Sequence, residues 1–145
     1  MCGIFLYKGG KQDWDSLESD INRIGYRGPD NTHHEMIGND VLFAFHRLAI
    51  MGTTEMGDQP MKHPNDASLT LICNGEIYNY KDLADKYGFN LVTGSDCEII
   101  LLLFKKFGIE KTVKELDGVF MFVIHEANTG LLFAGRDPMG VRPGF

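Results

Sequence analysis

The sequence predicts an α+β domain built on antiparallel sheets. Strands outnumber helices in it, two tight turns join neighbouring strands directly, and the strand-helix-strand alternation of a doubly wound parallel sheet is missing. The stretch GIFLY, short and apolar, is expected as the first strand. From Trp14 onward Leu17, Ile21 and Ile24 recur at i, i+4 and i+7, so an amphipathic helix follows, broken at Arg27-Gly28-Pro29-Asp30. HHEMI and VLFAFH read as a hairpin across Gly38-Asn39-Asp40.

Residues 51–66, MGTTEMGDQPMKHPND, are polar and bear glycine and proline, which predicts a surface loop. LTLIC is an apolar strand expected to run into a turn at Asn74-Gly75, and a short helix is expected over residues 81–87. In TGSDCEIILLLFKKFG, Ser95 stands as N-cap with Glu98 three residues on, a capping box. Ile99, Ile100, Leu103, Phe104 and Phe107 then supply a buried stripe that Gly108 stops. A further short helix leads to Gly118, after which VFMFVIHE and LLFAGR form a second hairpin over residues 127–130.

At 145 residues the chain has the length of one domain able to bury a core. Apolar content of 43% and charged content of 23% are ordinary for a soluble globular protein. The formal charge of −6 argues against nucleic acid as a partner, since that needs a concentrated basic face. The apolar stretch Ile4 to Tyr7 is too short for a signal peptide or a membrane span. Cys2, Cys73 and Cys97 are read as free thiols in a reducing cytosol, so a cytoplasmic location is expected. The five histidines have no metal-ligand spacing, and no metal site is expected. Gly9-Gly10-Lys11 lacks the spacing of a phosphate-binding loop, and no ATP site follows from the sequence.

Four places hold residues that could carry chemistry. Cys2 lies directly behind Met1. Removal of that methionine would leave one residue with a thiol of pKa ~8.5 and an α-amine of ~7.7–8.0, a nucleophile and a base together. The ordinary alternative is a small apolar residue opening a buried strand. Arg47 ends FHR, where a guanidinium can hold a carboxylate through two parallel hydrogen bonds or simply make a salt bridge. Asn74-Gly75 offers a side-chain amide and an unencumbered N–H for an oxyanion, or is merely a turn. Asp96, expected in the first turn of a helix, can receive a ligand ammonium or only complement the helix dipole. Cys73 and Cys97 are read as core residues without chemistry. Taken as a set, the four sites match an enzyme that binds an α-amino acid and attacks a side-chain amide, and glutamine fits.

The segments MCGI, YRGPD, FHRLAI, QP, CNGEIYNY, TGSDCE, LDGVFMFVI and GRDPMGVRP stand in the order found in class II glutamine amidotransferases. NGEIYN with HRLAI and RGPD is similar to the glutaminase domain of asparagine synthetases, and LDGVFMFVI and GVRP resemble the eukaryotic type. The resemblance implies an N-terminal-nucleophile hydrolase fold, a four-layer α/β/β/α sandwich over residues 1–145. It makes Cys2 the nucleophile, its own amine the proton acceptor, and Asn74 and Gly75 the oxyanion donors. Arg47 would bind the glutamine α-carboxylate and Asp96 the α-amine, with Leu48, Ile50, Met51 and Glu76 lining the pocket. Histidine would have no essential role. Family members continue beyond GVRP with further strands, so the sandwich is expected to be truncated at its C-terminus, with an edge needing a cover.

The synthetase half, which activates aspartate with ATP and Mg, is absent from this chain. No cofactor is expected in the glutaminase domain itself. Expected partners are glutamine and a synthetase domain or chain that receives ammonia, with a homodimer left open and no nucleic acid or membrane. The competing readings are a non-catalytic glutamine-binding or interaction module, and a cysteine peptidase or redox protein. The last lacks both a His partner and a CxxC pair.

Overall fold

The computed structural model describes residues 2–10, 14–49 and 57–144, without the side chains of residues 14 and 15. Along the chain lie β1 (Gly3–Lys8), α1 (Trp14–Asn22), a 3-10 turn (Gly25–Arg27), β2 (Asn31–Ile37) and β3 (Val41–Arg47). Then follow β4 (Met61–His63), β5 (Asp66–Ile77), α2 (Tyr80–Tyr87), α3 (Glu98–Phe107), α4 (Ile109–Glu115), β6 (Gly118–Glu126) and β7 (Leu131–Arg136). One sheet has the order β1-β3-β2 and the other β4-β5-β6-β7, with every pairing antiparallel.

Strand alternation sorts these elements into four layers. In β3, Leu42 and Ala44 face α1 and pack with Leu17 and Ile21, while Val41 and Phe43 turn the other way onto Ile72 and Val123 of the second sheet. In β5, Leu69, Leu71 and Cys73 face the helical layer; in β6, Phe120, Phe122 and Ile124 do the same. There they meet Leu83 and Ala84 of α2 and Ile99, Ile100, Leu101, Leu103 and Phe104 of α3. The order is therefore helix, sheet, sheet, helices, the sandwich expected from the sequence. Each fully buried Leu, Ile or Phe in these layers contributes roughly 1.5–3 kcal/mol by leaving water.

Gly108, at φ +77°, closes α3 through its N–H to the Phe104 carbonyl at 2.9 Å and opens α4 by accepting from Thr112 N at 3.2 Å. Both expected hairpins form, β2 with β3 and β6 with β7.

Four local expectations require correction. Asn74-Gly75 is not a turn: β5 runs straight through it to Ile77, because Gly75 and Gly118 let β5 and β6 approach closely. A Cβ on Gly75 would lie 2.6 Å from the Val119 carbonyl oxygen, and one on Gly118 would lie 2.2 Å from that of Glu76. The expected loop at residues 51–66 contains β4, whose Met61 and His63 are buried against β5; residues 51–56 lie outside the described ones.

The Ser95–Glu98 capping box is not formed. Glu98 is fully buried and reaches instead to Val92 N, Thr93 N and Thr93 Oγ1, the last two at 2.8 Å. Ser95 Oγ accepts from Cys97 N, so Asp96 sits in a turn just ahead of α3 rather than in its first turn. Finally, α1 stops at Asn22, and Ile24 falls in the bend that follows.

Candidate active site

The two sheets and the head of α3 meet around one cleft. Cys2, Arg47, Leu48, Asn74, Gly75, Glu76 and Asp96 line it, together with Gln59, Cys73, Ser95, Cys97 and Arg142. Of the nine residues expected from the sequence, these are seven; Ile50 and Met51 lie outside the described residues.

Cys2 precedes β1, and its partner across that end of the sheet is the segment leaving β3. Its Sγ accepts from Leu48 N at 3.4 Å and lies 3.6 Å from the Leu48 carbonyl oxygen. Arg27 Nε donates to the Cys2 carbonyl at 3.2 Å, which fixes the backbone behind the sulfur. Burial pushes the Cys2 thiol above its ordinary range, with the Leu48 N–H and the Arg47 charge opposing that shift. A thiol so placed is protonated at neutral pH and needs a base before it can attack. No histidine lines the cleft among the described residues. His46 is satisfied elsewhere, by Thr32 Oγ1 and the Ile21 carbonyl, both at 2.8 Å.

Arg47, at the end of β3, is buried and ion-paired to Asp58, whose other oxygen accepts from Asn31 Nδ2 at 2.9 Å. Asn31 is the cross-strand partner of Arg47, so two adjacent residues grip the same carboxylate. This ion pair is the strand-end salt bridge named above as the ordinary alternative for Arg47.

Asp96 is buried and accepts from Ile77 N at 2.6 Å. Burial pushes its carboxyl up, only partly offset by the Ile77 N–H and neighbouring backbone, and Glu76 adds to the rise. An ammonium brought to Asp96 would therefore relieve a desolvated charge. Glu76 is 3.8 Å from Arg142 Nη2, and Arg142 Nε is buried with no partner among the described residues. Burial would raise Asp137, but backbone N–H groups outweigh it and hold its carboxylate low. They come chiefly from Val141 at 2.9 Å, Arg142 at 3.2 Å and Phe120 at 3.2 Å. That knot turns the chain after β7 and brings Arg142 to the cleft.

The edge of β5 is the least obvious part of the site. Phe120 donates to Asp137 and accepts from its N–H at 2.9 Å, so both its backbone groups face β7. Its partner Gly75 consequently turns its own N–H away from β6, toward the edge where β4 lies. Along that edge Leu71 pairs with Met61 of β4, and Cys73 N donates to Gln59 Oε1 at 2.5 Å. Ile77 N goes to Asp96. Between them, no group among the described residues accepts the Gly75 N–H. Asn74 points to the other face, toward the first sheet and Cys2's side of the cleft. The pair expected as oxyanion donors is thus in the cleft, with one donor unspent.

Gln59, Ser95 and Arg142 were not expected from the sequence as site residues. The QP and GVRP segments marked two of them, but nothing in their spacing assigned a contact. No group of His, Cys, Asp and Glu among the described residues has a metal-binding arrangement.

A model of the glutamine amidotransferase domain matches residues 1–145. The chain is 44% identical to a probable glutamine-hydrolysing asparagine synthetase of Acanthamoeba polyphaga mimivirus, over 99% of this chain and 27% of that protein. It is 40% identical to the glutamine-hydrolysing asparagine synthetase of Rattus norvegicus, over 100% of this chain and 26% of that one. The chain therefore spans about a quarter of the length of these curated relatives. Among solved structures, a glutamine phosphoribosylpyrophosphate amidotransferase from B. subtilis, complexed with ADP and GMP, superposes with a TM-score of 0.75. That match covers 97% of this chain and 38% of the other at 20% identity, a likeness of fold.

Proposed function

The chain belongs to the glutamine amidotransferase domain family, and on that footing we propose that it hydrolyses the side-chain amide of glutamine to glutamate and ammonia. The observation that carries this reading is that Cys2, Arg47, Asn74, Gly75 and Asp96, drawn from four distant segments, line one cleft. Asp96 receives the α-ammonium, and Arg47, with Asp58 at its back, receives the α-carboxylate. The carboxamide then lies between Sγ and the Asn74-Gly75 donors.

With Met1 removed, the Cys2 α-amine takes the thiol proton as sulfur attacks the amide carbon. The oxygen of the tetrahedral adduct accepts from Asn74 Nδ2 and the unspent Gly75 N–H, a donor each worth about 3–4 kcal/mol when well aimed. The same ammonium returns its proton to the departing nitrogen, ammonia leaves, and water cleaves the glutamyl thioester. In free solution the thiol-to-amine transfer costs only about 1 kcal/mol. Burial of Cys2 makes the step harder, and that is why an adjacent base matters here.

Because the relatives are about four times longer, the ammonia is assigned to a synthetase portion that makes asparagine from aspartate. ATP and Mg belong to that portion in this reading, and the glutaminase domain uses no cofactor. A cytoplasmic site of action is part of the same proposal, supported by three free thiols. Among the described residues no helix is long and apolar enough to cross a membrane. No observation favours a binding-only module.

The test is an assay of glutamate and ammonia release from glutamine. Turnover that vanishes in Cys2→Ala is expected; turnover retained by that variant would overturn the proposal.

A further inference from the structure

β4 stops short of the cleft. Its last paired residue on this side is Met61, opposite Leu71, and the residue before it is Pro60, which has no N–H to extend the ladder. At the next alternate position of β5, Cys73 N–H finds the side chain of Gln59 instead of a backbone carbonyl, at 2.5 Å. Gln59 is 4% exposed and lines the cleft. Two residues on, Gly75 N–H has no acceptor among the described residues, and two further on Ile77 N–H is taken by Asp96.

The geometry points to Gln59 as a positioning residue of the oxyanion site: its carboxamide replaces the missing rung of β4 and holds the β5 edge so that, among the described residues, Gly75 N–H is left without an acceptor. This rests on the glutaminase reading above. The physical reason is the alternation of the strand. An edge with two adjacent free rungs would be free to shift or to take up water at Cys73, and the aim of the Gly75 donor would drift. Gln59 fixes the near side of that donor and Asp96 the far side. Asp96 also serves the α-amine, whereas the polar contact of Gln59 among the described residues is with the strand. The bond fixes the carboxamide orientation as well, since only its oxygen can accept from an N–H.

The experiment compares the unsubstituted chain with Gln59→Met, which keeps the length and removes the acceptor, and with Gln59→Glu, which keeps an acceptor. In Gln59→Met, kcat for glutamine is expected to fall tenfold or more with KM within twofold. Affinity for glutamate γ-semialdehyde, whose thiohemiacetal places an oxygen on the same donors, should fall by a similar factor. The rate of Cys2 alkylation by iodoacetamide, which forms no oxyanion, should stay within twofold. Gln59→Glu is expected to keep at least a tenth of the unsubstituted kcat.

A Gln59→Met enzyme within twofold in kcat would overturn the inference. So would KM and alkylation rate changing in step with kcat, or a Gln59→Glu variant as impaired as Gln59→Met. If the unsubstituted chain releases no glutamate, the glutaminase reading itself fails, which is a separate result.

Discussion

Among the described residues, the wall of the cleft that carries Cys2 and Arg47 is backed by one short helix, whereas the wall that carries Asn74, Gly75 and Asp96 is backed by three. Behind the first wall the buried cluster is Leu17, Ile21, Leu42 and Ala44. Behind the second it runs through α2, α3, β5 and β6, with Leu101, Leu103, Phe120 and Phe122 all at or near zero exposure. The groups on the thin wall are side chains that can adjust: a thiol and a guanidinium. On the thick wall the donor at Gly75 is backbone, which moves only if the strand moves. Deep packing is therefore placed where the proposed chemistry depends on main-chain position.

The most severe way to break this contrast is Cys2→Ala, expected to lower glutamine turnover by at least about 10⁴-fold while leaving the melting temperature almost unchanged. Next is Asn74→Ala on the thick wall, where loss of one oxyanion donor should cost about 10²–10³ in kcat with little change in KM.

Stability should divide the walls the other way. Leu101→Ala is expected to destabilise by about 3–5 kcal/mol and Leu17→Ala by about 2–3 kcal/mol, in urea unfolding of the whole chain. The difference arises because the site at Leu17 borders solvent and can collapse, whereas Leu101 is enclosed on every side. Equal losses would remove the argument that one wall is held more firmly.

The smallest effect sharpens the comparison at Asp96. Its folded-state pKa lies above its unfolded value, so the folded state holds the proton more tightly than the unfolded chain does. The resulting stability is fully present below about pH 3.9 and is lost as pH rises through the folded pKa. Above that, the ionised carboxylate is a burden, which the proposed contact with a ligand ammonium would relieve. Asp96→Asn keeps an acceptor for Ile77 N–H. It should therefore gain stability relative to the parent as pH rises from about 4 to 7, while raising KM for glutamine. Melting curves at several pH values alongside kinetics would expose a variant that gains on neither count.

The layered architecture was legible in the sequence because burial leaves periodic marks. Leu17 and Ile21 declare a helix face, and the alternate residues of LTLIC and VFMFVIHE declare two-faced strands. The site was legible as a set of residue types, with Cys2, Arg47, Asn74, Gly75 and Asp96 falling together as the resemblance implied. What the sequence hid was set by distant neighbours. Asn74-Gly75 has the composition of a turn, and only the close approach of β6 at Val119 and Phe120 converts it to strand. Ser95 and Glu98 have capping-box spacing, yet Glu98 finds better partners in the backbone of Val92 and Thr93. Gln59 follows the same rule. Its role depends on where β4 ends against β5, and no local pattern encodes that meeting.

The three sulfurs around the cleft differ in access: Cys73 and Cys97 are 1% and 4% exposed, while Cys2 is only half-buried. Its hydrogen bond to Cys73 and its burial both raise the Cys97 thiol, so it offers little thiolate to reagents. A small electrophile should thus act as a stoichiometric titrant, one adduct per working molecule. The native chain then carries its own active-site counter, and preparations can be normalised by the fraction that is competent without deleting any other thiol.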